Sequence, residues 1–373
     1  MSFFIMLKLT MNPRKRSKRH RHVPHRLRLP PSNKSNDGMD VDEEWMDEAA
    51  NEREELADNV KAMVRQESEG SYNCADYLSM TVWSQSVDQL LKKPNLAMSS
   101  RYPVGNSRID EYCREQIVEW SFRVVDYFRI DREVVAISLS YLDRFLATCH
   151  CDRTSFKLAA TTTLHLAVKI LYPCKLVDLG ILSDLSRGEF DMSDVCEMET
   201  HILRSLSWKL HPPTAVAFVS LFLDYFFCSR SQKLTTADCD DIYDVASFFS
   251  ELAVCDYYFV TMRSSSTALA AILNALEGMF GPENRIANEI LTVARTMHMT
   301  PNAQDLGAAR SRLWELYERS EECALHSETK HVVEEEQSNI FVKKTTQLSP
   351  VSVSKPCHSA SDFVCSTHTA ALR

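Results

Sequence analysis

The stretch from Cys113 to Leu210 decides how this chain reads. It opens C-R-E-Q-I-V-E-W (113–120), passes through Y-L-D-R-F-L (141–146) and K-L-A-A-T-T-T-L-H-L-A-V-K (157–169), and closes M-E-T-H-I-L-R-S-L (198–206). Apolar residues recur here at helical spacing, and four charged residues are set among them: Arg114, Asp143, Lys169 and Glu199. A charge on an apolar helix face is costly to bury unless it is paired or meets a partner. These four therefore need an explanation.

Proline punctuates the chain around this stretch. None occurs from 104 to 172, and prolines then stand at 173, 212, 213, 282 and 301. Because proline is excluded from helix interiors, the gaps mark helical blocks. The first block reads as five helices, about 108–128, 132–148, 154–171, 175–186 and 192–207. Asp131, Thr154 and Asp191 or Ser193 are the expected N-caps. The third helix, with Leu158, Ala159, Thr162, Leu166 and Ala167, is apolar on most sides, as the centre of a bundle must be. Pro212-Pro213 opens a second block at about 213–227, 237–256, 259–280, 283–298 and 302–320. Its third helix, carrying Ala268, Leu269, Ala271, Ile272, Leu273, Ala275 and Leu276, is again apolar nearly all round. Two consecutive five-helix blocks with the same apolar middle suggest a structural repeat of about 100 residues.

The flanks differ in composition. Residues 1–36 carry ten Lys/Arg, three His and no acid, so within a net charge of −9 the remainder stands near −19 (32 basic against 51 acidic residues). An acidic body argues against nucleic acid as a ligand. The first ten residues are apolar but too short to span a bilayer, and no membrane association is expected. The run Arg14-Lys15-Arg16-Ser17-Lys18-Arg19 has the form of a nuclear import signal, with an Arg-rich transit peptide or a solvated tail as competing readings. The expected location is the nucleus with a cytoplasmic pool. Arg26-Leu27-Arg28-Leu29 matches a bare RxxL degradation pattern that is uninformative alone. The expected division is a disordered basic-then-acidic tail (1–51), an N-terminal helix and connection (52–103), the two blocks (104–211 and 212–325) and a disordered tail (326–373) that includes Ser349-Pro350.

Catalytic signatures are missing. The eight glycines are dispersed, so no phosphate-cradling loop forms, and no nucleophile elbow or metal motif appears. The twelve cysteines include no CxxC pair. Cys149, His150, Cys151 and Cys174 are the one imaginable ligand group, but reduced thiols are the simpler reading. Neither a metal nor another cofactor is expected, and the chain does not read as an enzyme.

At this point the central stretch resembles a cyclin box, the helical domain by which cyclins bind and activate cyclin-dependent kinases. Arg114, Asp143, Leu158, Lys169 and Glu199 stand in the family's order and spacing, within R-x-x-I-V-E-W, Y-L-D-R-F-L, K-L-A-A and M-E-x-x-I-L. The likeness is strong over about 100–210 and weak over about 212–320, where Asp256-Tyr257-Tyr258 leads into what looks like the third helix of a second cyclin fold. It implies an all-α protein of two tandem five-helix cyclin folds with disordered tails. The wording of Y-L-D-R-F-L and of Tyr72–Leu78 leans towards a D-like G1 type.

The resemblance also implies roles. Arg114 and Asp143 would form a buried ion pair that holds helices in register, with Leu158 in the core. Lys169 and Glu199 would end two neighbouring helices and hydrogen-bond the main chain of a cyclin-dependent protein kinase, the expected partner. Ile170, Leu203, Trp208 and Leu210 would add apolar contacts to it. Cys113, Ile117 and Trp120 occupy the family's substrate-docking patch, through which kinase substrates or inhibitors would bind by helix 1. Gln116 replaces an apolar residue there, and Arg123 and Lys157 stand where the family has an acid and a glutamine, so weak or altered docking of Arg-x-Leu motifs is expected. After Lys169, Ile170-Leu171-Tyr172-Pro173 replaces an acidic pair found in many cyclins, which leaves the identity of the kinase open. A cyclin-fold transcription factor and a helical adaptor without kinase binding are the alternative readings.

Overall fold

A computed structural model describes residues 41–79, 109–149, 151–173, 189–228 and 234–334. Every regular element among them is helical. The first fold holds α2 (Glu111–Tyr127), α3 (Glu133–Leu146), α4 (Arg153–Leu171) and α5 (Met192–Ser205). The second holds α6 (Ala215–Cys228), α7 (Thr236–Cys255), α8 (Ser264–Phe280), α9 (Arg285–Thr296) and α10 (Ala303–Glu334). A long N-terminal helix, α1 (Val41–Ser68), precedes both. The helix expected at 175–186, the basic run, Ser349-Pro350, and His150 and Cys174 of the imagined ligand group all lie outside the described residues.

The two apolar helices are central, as their composition requires. On α4 every residue from Leu158 to Val168 is buried, and on α8 every residue from Ser265 to Leu276. Small residues are frequent in both, alanine with threonine on α4 and alanine with serine on α8, so neighbouring helices approach closely around them. The remaining helices each turn one face to a core. One large core takes Ile117, Trp120, Tyr141, Leu142 and Phe156 from the first fold and continues into Phe249, Leu252 and Leu313 of the second. The other is built from α6 to α9, with Ala57, Val60 and Val64 of α1 laid across it. α1 thus completes the second fold although it precedes the first.

Several boundaries differ from expectation for local reasons. α4 is capped by Asp152, whose side chain accepts from Ser155 N, and not by Thr154. α2 has an unforeseen cap of the same kind, Asp110 to Cys113 N. Asp191 does cap α5, in a reciprocal box with Asp194. The single helix expected over 259–280 is broken: a 3₁₀ turn (Tyr257–Thr261) held by Asp256 precedes α8. At its N-terminal end α1 begins at Val41, so the acidic block expected to be linker is helical. α10 likewise runs on to Glu334, past the point where apolar periodicity stops.

Candidate functional site: the α4–α5 face

Asp143 organises the junction between the folds. Arg114 donates to it from Nε and from Nη2, both at 2.9 Å, and Tyr77 Oη donates at 2.8 Å to the oxygen that also receives Nε. The third branch of the guanidinium, Nη1, reaches Val254 O of the second fold at 2.9 Å. Burial works against the charge on Arg114, but the adjacent Asp143 carboxylate outweighs it and holds the arginine more firmly protonated than usual. Both side chains are buried and bidentate, the geometry in which such a pair fixes orientation.

A second group beside it escaped the reading of the sequence. Arg144, 6% exposed, donates to Ser140 O, Ser71 O and Lys209 O at 3.0–3.2 Å and lies over the rings of Tyr72 and Tyr141. No carboxylate is paired with it among the described residues, and burial lowers its pKa. Its contact with Lys209 O and that of Tyr141 Oη with Leu210 O fix the turn after α5. In that turn Ser207 and Trp208 both adopt left-handed backbone, φ +50° and +62°, and Trp208 N closes on Leu203 O. Left-handed conformation is unfavourable for non-glycine residues, more so for a bulky one. In this turn the tryptophan is 68% exposed.

Lys169, in the last turn of α4, and Glu199, on α5, face each other, with Nζ 2.8 Å from Oε1. The lysine side chain is 47% exposed and the glutamate 16%. The ammonium is therefore free to turn outward while the carboxylate is held. Leu171, Met192 and Trp208 are exposed large apolar residues of the same helix pair and its turns. Ile170, Leu203 and Leu210 are half-buried and lean on the first core. Leu158 is buried, but in a small satellite cluster with Phe190 and Val195 and not in the main core.

The patch expected on α2 is not a surface. Cys113, Ile117 and Trp120 are at most 1% exposed. Their i, i+4, i+7 spacing is one helical stripe, and that stripe turns into the core shared by the two folds. The added cations are engaged too, since Arg123 pairs with Glu119 at 3.7 Å and Lys157 with Glu189 at 3.2 Å. The three residues expected to form the patch are thus closed off by burial, and the two cations beside it each have an acidic partner.

The geometry defines a protein of tandem helical folds that carries, on one pair of helices, an ion pair open to solvent, exposed apolar side chains and a strained turn. Residues 85–211 match the cyclin N-terminal domain and residues 213–344 the cyclin C-terminal domain. The chain belongs to the cyclin family. It is 30% identical over 178 residues to a G2/mitotic-specific cyclin-B2 of Oryzias javanicus, covering 47% of this chain and 43% of that protein. It is 27% identical over 157 residues to a G1/S-specific cyclin-E of Caenorhabditis elegans, covering 41% and 29%. The chain thus spans less than half the length of these curated relatives. They are of B and E type, so the D-like subtype rests on the sequence wording alone. A viral cyclin from herpesvirus saimiri overlays at a TM-score of 0.47 and 16% identity, covering 57% of this chain and 88% of that structure, a likeness too slight to argue from.

Proposed function

We propose that this chain is a regulatory subunit that binds and activates a cyclin-dependent Ser/Thr protein kinase and thereby controls cell-cycle progression. The observation that carries this reading is the Lys169–Glu199 pair at 2.8 Å, half open to solvent, with Trp208 exposed at the end of the helix that bears Glu199. A surface ion pair alone contributes little to stability, under about 1 kcal/mol. Its donor and acceptor are better used on a partner's main chain. The relatives' names, mitotic and G1/S-specific, support a cell-cycle role. The mechanism is population shift: the chain contributes no catalytic group but stabilises the kinase conformation in which the catalytic Lys–Glu pair is assembled. Lys169 and Glu199 supply the polar anchors, and Trp208, Leu203, Leu210 and Ile170 the apolar ones. The basic run 14–19 would direct this activity to the nucleus.

The test is capture of kinase from cell extract by the tagged full chain, with phosphorylation of histone assayed on the beads. Wild type is expected to retain an active cyclin-dependent kinase, and Lys169→Ala/Glu199→Ala to lose it. Capture undiminished in the double variant places the interface elsewhere. No kinase on folded wild type leaves the adaptor reading.

A further inference from the structure

Behind this pair sits a group that the proposed contact does not use. His165 lies one turn before Lys169 on α4 and is 4% exposed. Among the described residues neither of its ring nitrogens has a hydrogen-bond partner, and neither does the hydroxyl of Thr161 one turn earlier. The acid facing the ring is Glu199: Nδ1 stands 3.9 Å from Oε2, outside hydrogen-bond range, while Lys169 holds the other oxygen at 2.8 Å. One carboxylate on α5 therefore spans two successive turns of α4, with a cation on one side and an idle imidazole on the other.

The charged groups acting on the ring are Glu199 from α5 and Lys169 from α4 itself. On its other flank α4 meets α3 through Thr163 and Ser138, whose hydroxyls lie 3.3 Å apart and bring no charge. Burial foremost, and Lys169 after it, disfavour the imidazolium, whereas Glu199 favours it, and the balance lies below the ordinary 6.5.

We propose that His165 is a positioning residue for Glu199, taking a proton from solvent onto its imidazole when Lys169 leaves the carboxylate for a partner's main chain. This rests on the reading of Lys169 and Glu199 as partner contacts. Once the ammonium turns outward, Glu199 keeps a negative charge in a site largely shut from water, and the ring loses its repelling neighbour. Closing the 3.9 Å gap then makes a charge-assisted hydrogen bond from Nδ1–H to Oε2. Oε1 stays aimed outward, where a partner N–H can reach it. Because the bound state holds one more proton, association tightens as pH falls through the titration window of the ring.

The test has two arms. Histidine-labelled full chain is titrated by NMR, with the His165 resonance assigned by its loss in His165→Gln. Its midpoint is expected to move to higher pH in Lys169→Met and to lower pH in Glu199→Gln. A midpoint unchanged by Lys169→Met overturns the proposal. In the second arm, affinity for a purified cyclin-dependent kinase is measured at about pH 8 and about pH 6, where wild type should bind threefold or more tighter, roughly, at the lower pH and His165→Gln should be flat. A wild-type profile as flat as that of the variant also overturns it. If no kinase binds wild type but the NMR midpoints move as expected, the coupling of His165 to the ion pair stands and the reading of the surface as a kinase contact fails.

Discussion

Arg132 Nη1 of the first fold lies 2.8 Å from Glu251 Oε2 of the second, and both side chains are buried. Asp126 takes the other end of the same guanidinium, from Nε at 2.8 Å and from Nη2 at 2.6 Å. With Arg114 Nη1 on Val254 O, two arginines of the first fold thus have partners in α7. The folds are packed as one unit.

Breaking that unit from one side should be expensive. Glu251→Ala removes a buried carboxylate that faces Arg132 and is expected to destabilise the chain by about 3–5 kcal/mol. Glu251→Gln, which keeps an acceptor, should cost less. Urea unfolding followed by circular dichroism measures both, and a single transition in each is the expected form.

The Asp143 cluster makes a sharper case. Arg114→Met strands a buried carboxylate whose remaining donor is Tyr77, and should lower stability by about 3–5 kcal/mol. The double variant Arg114→Met/Asp143→Leu removes both charges and is expected to recover part of that loss. A double variant no more stable than the worse single one would remove the pair from the account.

Trp208 separates stability from binding. At φ +62° a glycine is at ease, so Trp208→Gly should leave stability unchanged or raise it by about 1 kcal/mol. Under the proposed function the same change removes an exposed aromatic anchor and weakens kinase capture about tenfold or more. Loss of stability with unchanged capture is the outcome that contradicts both halves.

Trp120 should behave in the opposite manner. Because it is fully buried, Trp120→Ala is expected to cost about 3–5 kcal/mol and to impair the whole protein, not one class of substrate. A stable variant with only a docking defect would restore α2 as a surface. Thermal melts beside kinase assays on two unrelated substrates distinguish the cases.

Acid should find His165. Its pKa is lowered in the folded chain, chiefly by burial, so the unfolded chain binds the proton more readily. The sign follows: stability is greatest above the unfolded value near 6.5 and falls as pH drops below it. In His165→Leu that loss should be smaller, measured as the urea midpoint between about pH 7.5 and about pH 5.5.

The sequence carried the helices well and their faces unevenly. α4 and α8 were legible as central because no polar stripe interrupts them. α2 was not, since an i, i+4, i+7 stripe looks the same whether it meets a partner or the core, and only the placement of α7 against it decides. The ion pairs divide the same way. Arg114 and Asp143 announced themselves as charges on apolar faces, and Lys169 and Glu199 do meet. Arg144 stood beside Asp143 in the same motif, but its partners are main-chain carbonyls, which leave no mark in a sequence. Arg132 and Glu251 lie 119 positions apart, and nothing local links them. Trp208 is expected from the sequence as an apolar contact, but the left-handed backbone of Ser207 and Trp208 in its exposed turn is nothing that composition foretells.

The position of α1 has a consequence for how the chain is made. Glu67, near its end, accepts from Ser265 N and Oγ at the start of α8, 198 residues later, and Val60 and Val64 rest on the second core. During synthesis α1 emerges well before anything it can lie on, a delay of roughly 10–40 s at ordinary elongation rates. In that interval its apolar stripe is open to water and to other chains. The helix at the front of the chain is thus among the last to dock, and the nascent protein should be most prone to aggregate, and most in need of chaperones, until α8 has cleared the ribosome.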